Sequence, residues 1–217
     1  MIKRVFDFTL SLFGIILSLP VSILISLAIL IEDGAPILYS QERFGKNCRI
    51  FMTFKFRSMV KEAERCTGPI QASEDDCRVT KVGKVLRATA MDELPQLINI
   101  LRGDISFVGP RALRPEEKEV RDSFSRSIFD YPYFHERAKV KPGLTGIAQI
   151  FAPRDIPREK KFEYDAWYIR NQGFWLDAYL ITFSFLITFN ERWEAREDKL
   201  ALLGEGLKRR VQGQLGP

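Results

Sequence analysis

Residues 8–31, FTLSLFGIILSLPVSILISLAILI, run for twenty-four positions without a charged side chain. As a helix rising ~1.5 Å per residue this run reaches ~36 Å, more than a ~30 Å hydrocarbon core requires. The segment either passes straight through a bilayer or turns back on itself. Pro20 stands near its midpoint, two residues after Ser18. Proline has no N–H, and its ring clashes with the carbonyl four residues before it, here Ile16, which favours a bend. The hydroxyl of Ser18 or Ser22 is placed to compensate the backbone groups that such a bend frees.

Charge on the flanks bears on the same choice. Lys3 and Arg4 precede the run, and Arg43, Lys46, Arg49, Lys55 and Arg57 follow it. The positive-inside rule assigns basic flanks to the cytoplasm, so a straight span receives conflicting signals and a helix that leaves by the face it entered does not. The run is too long for an ordinary signal-peptide core, and IEDGAPILYSQERFG after it lacks a small-residue cleavage pattern. A retained anchor is expected.

The 217 residues suit one compact domain plus this anchor. With 46% hydrophobic and 28% charged residues, disorder and a multi-span membrane protein are both disfavoured. A net charge of +5 points to an anionic partner: phospholipid headgroups, nucleic acid or a phosphorylated substrate. Cys48, Cys66 and Cys77 lack metal-ligand spacing and His135 is the single histidine, which argues against a zinc site or a Ser-His-Asp triad. Reduced thiols and a cytoplasmic domain follow.

Residues 36–59 alternate apolar and polar side chains around Gly45-Lys46-Asn47 and read as a β-hairpin. Residues 60–80 read as a polar loop. Residues 81–103 read as two short helices, the second opening around Asp92 with Pro95 just inside and ending at Gly103. DISFVGPRAL is a short strand into a Gly-Pro turn, 115–138 a charged helical stretch, and KVKPGLTGIAQI strand and turn. A helix is expected from Arg158 to about Gly173, then an apolar one over 174–190 interrupted by Asp177. Trp193, Leu200, Leu203 and Leu207 fall on one face of the tail, a stripe suited to a homodimer or to the chain's own domain. The expected fold is α/β, mostly α, with boundaries at 1–32, 33–190 and 191–217.

LRATAMDELPQ is the densest candidate site. Acidic residues and a proline at a helix start have a purely structural explanation, as cap and dipole partners. Against that stands the surrounding cation inventory, which includes Lys55, Arg57, Arg87, Arg102, Arg111, Lys139, Lys141 and Arg154. Carboxylates amid cations suit Mg²⁺-dependent phosphoryl chemistry, and the glycines of FVGPR and KPGLTG suit backbone N–H groups approaching an anion. Asp177 is costly in its apolar setting without a partner; Arg87 is the candidate, and the alternative is that Asp177 caps the helix start or faces water there. Two rivals exist. Asp75-Asp76 matches a D-D metal motif of glycosyltransferases, and the basic surface would serve a catalytically silent membrane scaffold or nucleic-acid binder, although no nucleic-acid motif organises it.

RFGKNCRIFMTFKFRSM, LRATAMDELPQLINILRGDISFVGPR, KVKPGLTGIAQ and KFEYDAWYIRN…FWLD together resemble, in order and over roughly residues 1–190, the bacterial sugar transferases. More narrowly they resemble the monotopic polyprenyl-phosphate phosphoglycosyl transferases. The resemblance implies a ping-pong reaction at the cytoplasmic face of the bacterial inner membrane. The carboxylate of Asp92 takes a phospho-sugar from a UDP-sugar, releasing UMP, and passes it to a polyprenyl phosphate, usually undecaprenyl phosphate. It implies Mg²⁺ on Asp92, Glu93 as the second member of the dyad, and Arg87, Asp177, Lys55 and Arg57 towards the acceptor phosphate. Pro110, Arg111, Gln149 and Arg154 are implied at the nucleotide-sugar end. It also implies a re-entrant N-terminal helix with its break near Ser18–Pro20, and interfacial amphipathic helices on membrane lipids. No nucleic acid partner is expected.

Overall fold

In a computed structural model of the chain the described residues are 2–61, 63, 76–115, 127–152, 156–190 and 213. Cys66, Asp75, Arg154 and the tail stripe of Trp193, Leu200, Leu203 and Leu207 lie outside them. The chain divides into two compact units: Met1–Gln41 with Met52–Arg102, and Glu42–Phe51 with Gly103–Pro217. The N-terminal helix falls within the first unit.

The first unit begins with α1 (Ile2–Asp33), which remains helical through Pro20. Much of it is apolar surface: only 11% of its most apolar eighteen-residue window is buried, and it is long and apolar enough to cross a membrane. What is buried is a single stripe of Asp7, Ser11, Ile25 and Ile29. Near its start, Arg4 donates from Nη1 to the Ile100 carbonyl and from Nη2 to that of Leu101, each at 2.7 Å. At its end, Glu32 accepts from the backbone N–H groups of Lys81 (2.7 Å) and Val82 (2.9 Å). Arg57 donates to the carbonyls of Asp33 (3.1 Å) and Gly34 (2.6 Å) just beyond. Ile25 and Ile29 close a small core with Phe56 and Leu86.

The expected hairpin forms, with β1 (Leu38–Phe44) paired to β2 (Ile50–Phe56) in a two-stranded sheet. The first unit continues with α2 (Lys81–Ala88), capped by Thr80, whose Oγ1 accepts from the Gly83 N–H at 2.9 Å. A Cβ at Gly83 would lie 2.0 Å from the Ser58 carbonyl oxygen, so only glycine lets α2 approach the end of β2 this closely. The second expected helix starts later than its sequence suggests. Ala90 takes a left-handed conformation (φ 53°), Met91–Glu93 form one 3-10 turn, and α3 covers Gln96–Arg102. Pro95 thus precedes the helix rather than sitting inside it. Asn99, fully buried on α3, fastens it to β2: its Oδ1 accepts from the Phe54 N–H (3.1 Å) and its Nδ2 donates to the Met52 carbonyl (2.7 Å).

The second unit contains β3 (Ser106–Val108), α4 (Phe134–Ala138), β4 (Gly143–Thr145), α5 (Ile147–Phe151), α6 (Arg158–Asn171) and α7 (Phe174–Asn190). β3 and β4 pair in parallel, Ser106 opposite Gly143 and Val108 opposite Thr145. The glycines read as anion cradles serve this pairing instead. A Cβ on Gly143 would meet the Gly109 nitrogen at 2.0 Å, and one on Gly146 the Gly109 oxygen at 2.2 Å. Gly109 N–H already donates to the Thr145 carbonyl and Gly143 N–H to that of Pro110, each at 2.9 Å. These donors are occupied by backbone, which corrects the expectation that they face an anion. Of the charged stretch expected as helix over 115–138, the described part holds a 3-10 turn at Ile128–Asp130 and the short α4. α6 and α7 match their expected spans, and the core of Val108, Ile147, Ile150, Phe151, Tyr168, Leu180 and Phe183 lies among β3, α5, α6 and α7.

Candidate active site

Within the first unit, three of the expected residues converge. Lys55 follows the strand residue that Asn99 pins, and its Nζ donates to Glu93 Oε1 at 2.5 Å while lying 3.9 Å from Asp92 Oδ2. The left-handed Ala90 and the single 3-10 turn present Asp92 and Glu93 side by side rather than along a continuous helix. Asp92 is the more enclosed, with 13% of its side chain exposed against 27% for Glu93. Burial pushes the Asp92 carboxyl up to about 6. The Lys55 ammonium opposes that shift, the neighbouring Glu93 charge adds to it, and Arg87 opposes it again. The result is a carboxylate ionised at neutral pH yet poorly solvated, a suitable condition for a nucleophile.

Arg87, in the last turn of α2, donates from Nε to Ser58 Oγ at 3.0 Å, a contact that the close α2–β2 approach at Gly83 makes available. Arg57 goes elsewhere. It is buried, its Nη2 lies 3.0 Å from Asp33 Oδ2 and donates to the carbonyls of Asp33, the last residue of α1, and Gly34, while its Nε and Nη1 have no hydrogen-bond partner. It therefore clasps the end of α1. Asp76, the described half of the D-D pair, is held by Arg78 through contacts of 2.6–3.1 Å, which bring its carboxyl down to about 2.

The remaining expected residues belong to the second unit. Pro110 is buried and accepts from Gly143 N–H; Arg111 is exposed and bridges to Gly143. Gln149 donates from Nε2 to the Leu144 carbonyl at 3.0 Å, leaving its buried Oε1 without a hydrogen-bond partner. Asp177 is buried and accepts from the Tyr168 hydroxyl at 2.6 Å. Arg87 and Asp177, expected as a pair, thus each have a partner inside their own unit. Arg154 is outside the described residues.

Sequence reasoning passed over Ser58, Asn99 and Tyr168, whose roles depend on partners far along the chain or across a helix junction. It also missed the Arg137–Asp165 pair. Arg137 Nη2 lies 3.2 Å from Asp165 Oδ2, donates to the Arg111 carbonyl at 2.7 Å, and its guanidinium carbon sits 4.4 Å from the Phe162 ring centroid.

Among the described residues no group of three or more His, Cys, Asp or Glu side chains is placed to hold a metal. Mg²⁺ does not require one, since it commonly takes one or two carboxylates and completes its shell with substrate phosphate and water. Asp92 and Glu93 fit that donor set.

The sequence profile of the bacterial sugar transferase family matches residues 1–191. A UDP-N-acetylgalactosamine-undecaprenyl-phosphate N-acetylgalactosaminephosphotransferase of Aeromonas hydrophila is 38% identical over 90% of this chain and 45% of its own length. A UDP-glucose:undecaprenyl-phosphate glucose-1-phosphate transferase of Klebsiella pneumoniae is 40% identical over 82% of this chain and 38% of its own. The chain spans less than half the length of either. An uncharacterized sugar transferase, EpsL, of Bacillus subtilis is 38% identical over 83% of both chains. The profile takes in both units, the 91–93 turn and the apolar helix alike, and on that match the chain belongs to the bacterial sugar transferase family.

Proposed function

We propose that the protein transfers a phospho-sugar from a UDP-sugar to a polyprenyl phosphate, with undecaprenyl phosphate the acceptor that the relatives' names point to. The observation that carries this reading is the Asp92–Glu93–Lys55 cluster: a largely enclosed, reluctantly ionised carboxylate beside a second carboxylate and a cation. An Asp92 oxygen attacks the β-phosphorus of the donor; the new P–O bond forms as the bond to UMP breaks, and UMP leaves with the electron pair. The acceptor phosphate oxygen then attacks the same phosphorus and Asp92 returns as a carboxylate. Splitting the exchange this way replaces one difficult displacement with two. Lys55 places positive charge beside the phosphoryl group, and Arg87, oriented by Ser58, binds the acceptor phosphate. Mg²⁺ held by Asp92 and Glu93 would neutralise phosphate charge that otherwise repels the nucleophile.

The reaction joins a soluble nucleotide and a lipid, so both must reach one face of the membrane. The fastening of α1 supports a helix that turns back towards the cytoplasm. Arg4 binds next to Asn99, Asn99 binds Phe54, and Arg57, three strand residues on, takes the far end of α1. Phe54 to Arg57 is ~10 Å of strand, whereas Arg4 to Asp33 is ~44 Å of straight helix. A bend at Pro20 within a helical backbone reconciles the two lengths.

The test is incubation with a panel of UDP-sugars, Mg²⁺ and undecaprenyl phosphate, following UMP and lipid-linked sugar. UMP release that is lost in Asp92→Asn supports the reading. Release unchanged in Asp92→Asn, or absent across the panel, rejects it. For topology, cysteines introduced at position 3 and at exposed Lys84 should react with an impermeant reagent from one side only; labelling from opposite sides rejects the bend.

A further inference from the structure

Lys55 reaches Glu93 and Asp92 from β2, while the two carboxylates stand on the turn that leads into α3. One side chain joins these elements. Asn99 of α3 is fully buried and bonds to the β2 backbone at the Phe54 N–H and the Met52 carbonyl. We propose that Asn99 is a positioning residue for the reaction: its carboxamide fixes the register of β2 against α3 and so holds Lys55 at the Asp92–Glu93 turn. The proposal rests on the part that Lys55 takes in the phosphoryl transfer above, and adds the residue that places it.

Three observations carry it. Met52 and Phe54 are two residues apart, so these backbone groups leave β2 on one edge. The Asn99 carboxamide meets them as a neighbouring strand would, donating from Nδ2 at 2.7 Å and accepting at Oδ1 at 3.1 Å. Second, a slip of one residue turns every side chain of a strand to the other face, and here would put Phe54 or Phe56 where Lys55 stands. Apolar packing does not prevent it by itself, because burial along β2 departs from its hydrophobic pattern: Thr53 is buried and Met52 exposed. Third, α3 has seven residues, too few to keep its place unaided. Arg4 clasps its Ile100 and Leu101 carbonyls, and the Arg102 guanidinium carbon lies 5.3 Å from the Phe54 ring centroid. Those contacts keep α3 in place without dictating which strand residue faces the turn; two directional bonds to the strand backbone do dictate it. A buried carboxamide is costly unless paired, and a buried asparagine fixes register elsewhere at that expense.

The experiment uses the full chain in lipid nanodiscs, measuring UMP release from a UDP-sugar that the wild type turns over, with the melting temperature in parallel. Asn99→Leu, branched like asparagine but unable to make either bond, should lower kcat by ~10-fold or more, the scale of a small misplacement, with donor KM within about threefold. Asn99→Asp keeps an acceptor for the Phe54 N–H and should retain more activity than Asn99→Leu. Lys55→Met should also lower kcat, and adding Asn99→Leu to it should cost less than about twofold more, because Asn99 acts through the side chain already removed. The melting temperature should fall equally in both backgrounds, which separates stability from positioning. If Asn99→Leu does not fold, an ester in place of the Phe54 amide removes one of the two bonds with every side chain intact and carries the same cycle. The proposal is overturned if Asn99→Leu or the ester leaves kcat within about twofold of wild type, or if its loss multiplies with that of Lys55→Met. Either result in a chain that releases UMP removes only the role of Asn99, whereas a wild type releasing no UMP from any donor removes the reaction and this role with it.

Discussion

Asp92 and Asp165 have been pushed to the same place by the same force. Burial raises each carboxyl to about 6, and a cation opposes the shift in each case, Lys55 for Asp92 and Arg137 for Asp165. Their surroundings differ. Asp165 is sealed: its partner Arg137 is buried with it, bound also to the Arg111 carbonyl and set over the Phe162 ring. Asp92 keeps part of its side chain open, shares its cation with Glu93, and stands beside a like charge. A raised pKa thus marks burial in both, and only access together with an incompletely satisfied charge marks a reactive group.

The largest effect expected follows directly. If Asp92 is the nucleophile as proposed, Asp92→Asn should lower UMP release by ~10³-fold or more while the protein stays folded, since removing a covalent nucleophile removes the path itself. Asp165→Asn should leave the chemical step within a few-fold of wild type per folded molecule. If Asp165→Asn abolished UMP release with an unchanged melting temperature, the distinction between the two carboxylates would fail.

Stability should respond in the opposite order. Asp165→Ala leaves Arg137 buried without its counter-charge, a change that typically costs ~3–5 kcal/mol, read as a lowered denaturation midpoint. Pairing it with Arg137→Leu should recover most of the loss, apart from the hydrogen bond to the Arg111 carbonyl. Asp92→Asn should be neutral or stabilising. A double variant as unstable as Asp165→Ala alone would mean that the pair does more than neutralise itself.

The pH dependence sharpens the comparison. A folded-state value near 6 against 3.8 in the unfolded chain means that the native state holds the extra proton between those limits. Stability is therefore fullest below the unfolded value and declines as pH rises through about 6, by roughly 3 kcal/mol for either group acting alone. Asp92→Asn and Asp165→Asn should each remove part of that decline. Only Asp92 should also shape catalysis: kcat/KM should rise with pH up to about 6 and level off, and Glu93→Gln should move the rise to lower pH by removing the like charge. A rise left in place by Glu93→Gln would place the titrating group elsewhere.

Much of this arrangement was open to sequence reasoning where the signal is local. The hairpin announced itself by alternation around Gly45-Lys46-Asn47, α6 by its pattern from Arg158, and the Asp92 cluster by carboxylates beside cations. What escaped was non-local. Gly109, Gly143 and Gly146 look like anion cradles one at a time, yet the backbone of Gly109 takes up the space that a Cβ on Gly143 or Gly146 would need. Asp92 looked like a helix start because acidic residues and proline belong there; left-handed Ala90 breaks the register and defers α3 to Gln96. The carbonyls of Asp33 and Gly34 that Arg57 binds are likewise not revealed by anything in its own stretch of sequence.

Asp177 is, like Asp165 and Asp7 of α1, a buried carboxylate, and it tests where the line between Asp92 and Asp165 falls. The Tyr168 hydroxyl reaches it at 2.6 Å and lies 3.3 Å from the Val108 carbonyl, tying the first turn of α7 to α6 and β3. If Asp177 is structural, Tyr168→Phe removes one hydrogen bond to a charged group and should cost ~1–2 kcal/mol, the smallest effect here, with donor and acceptor kinetics unchanged. If Asp177 supports the acceptor phosphate, the same substitution should raise the KM for undecaprenyl phosphate while leaving that for the UDP-sugar alone, since the released carboxylate would no longer be held in one orientation. Shared support by Tyr168 makes Asp177 resemble sealed Asp165 more than open Asp92, so loss of stability without a change in acceptor KM is the expected outcome. A selective rise in acceptor KM at constant melting temperature would move Asp177 into the group defined by Asp92.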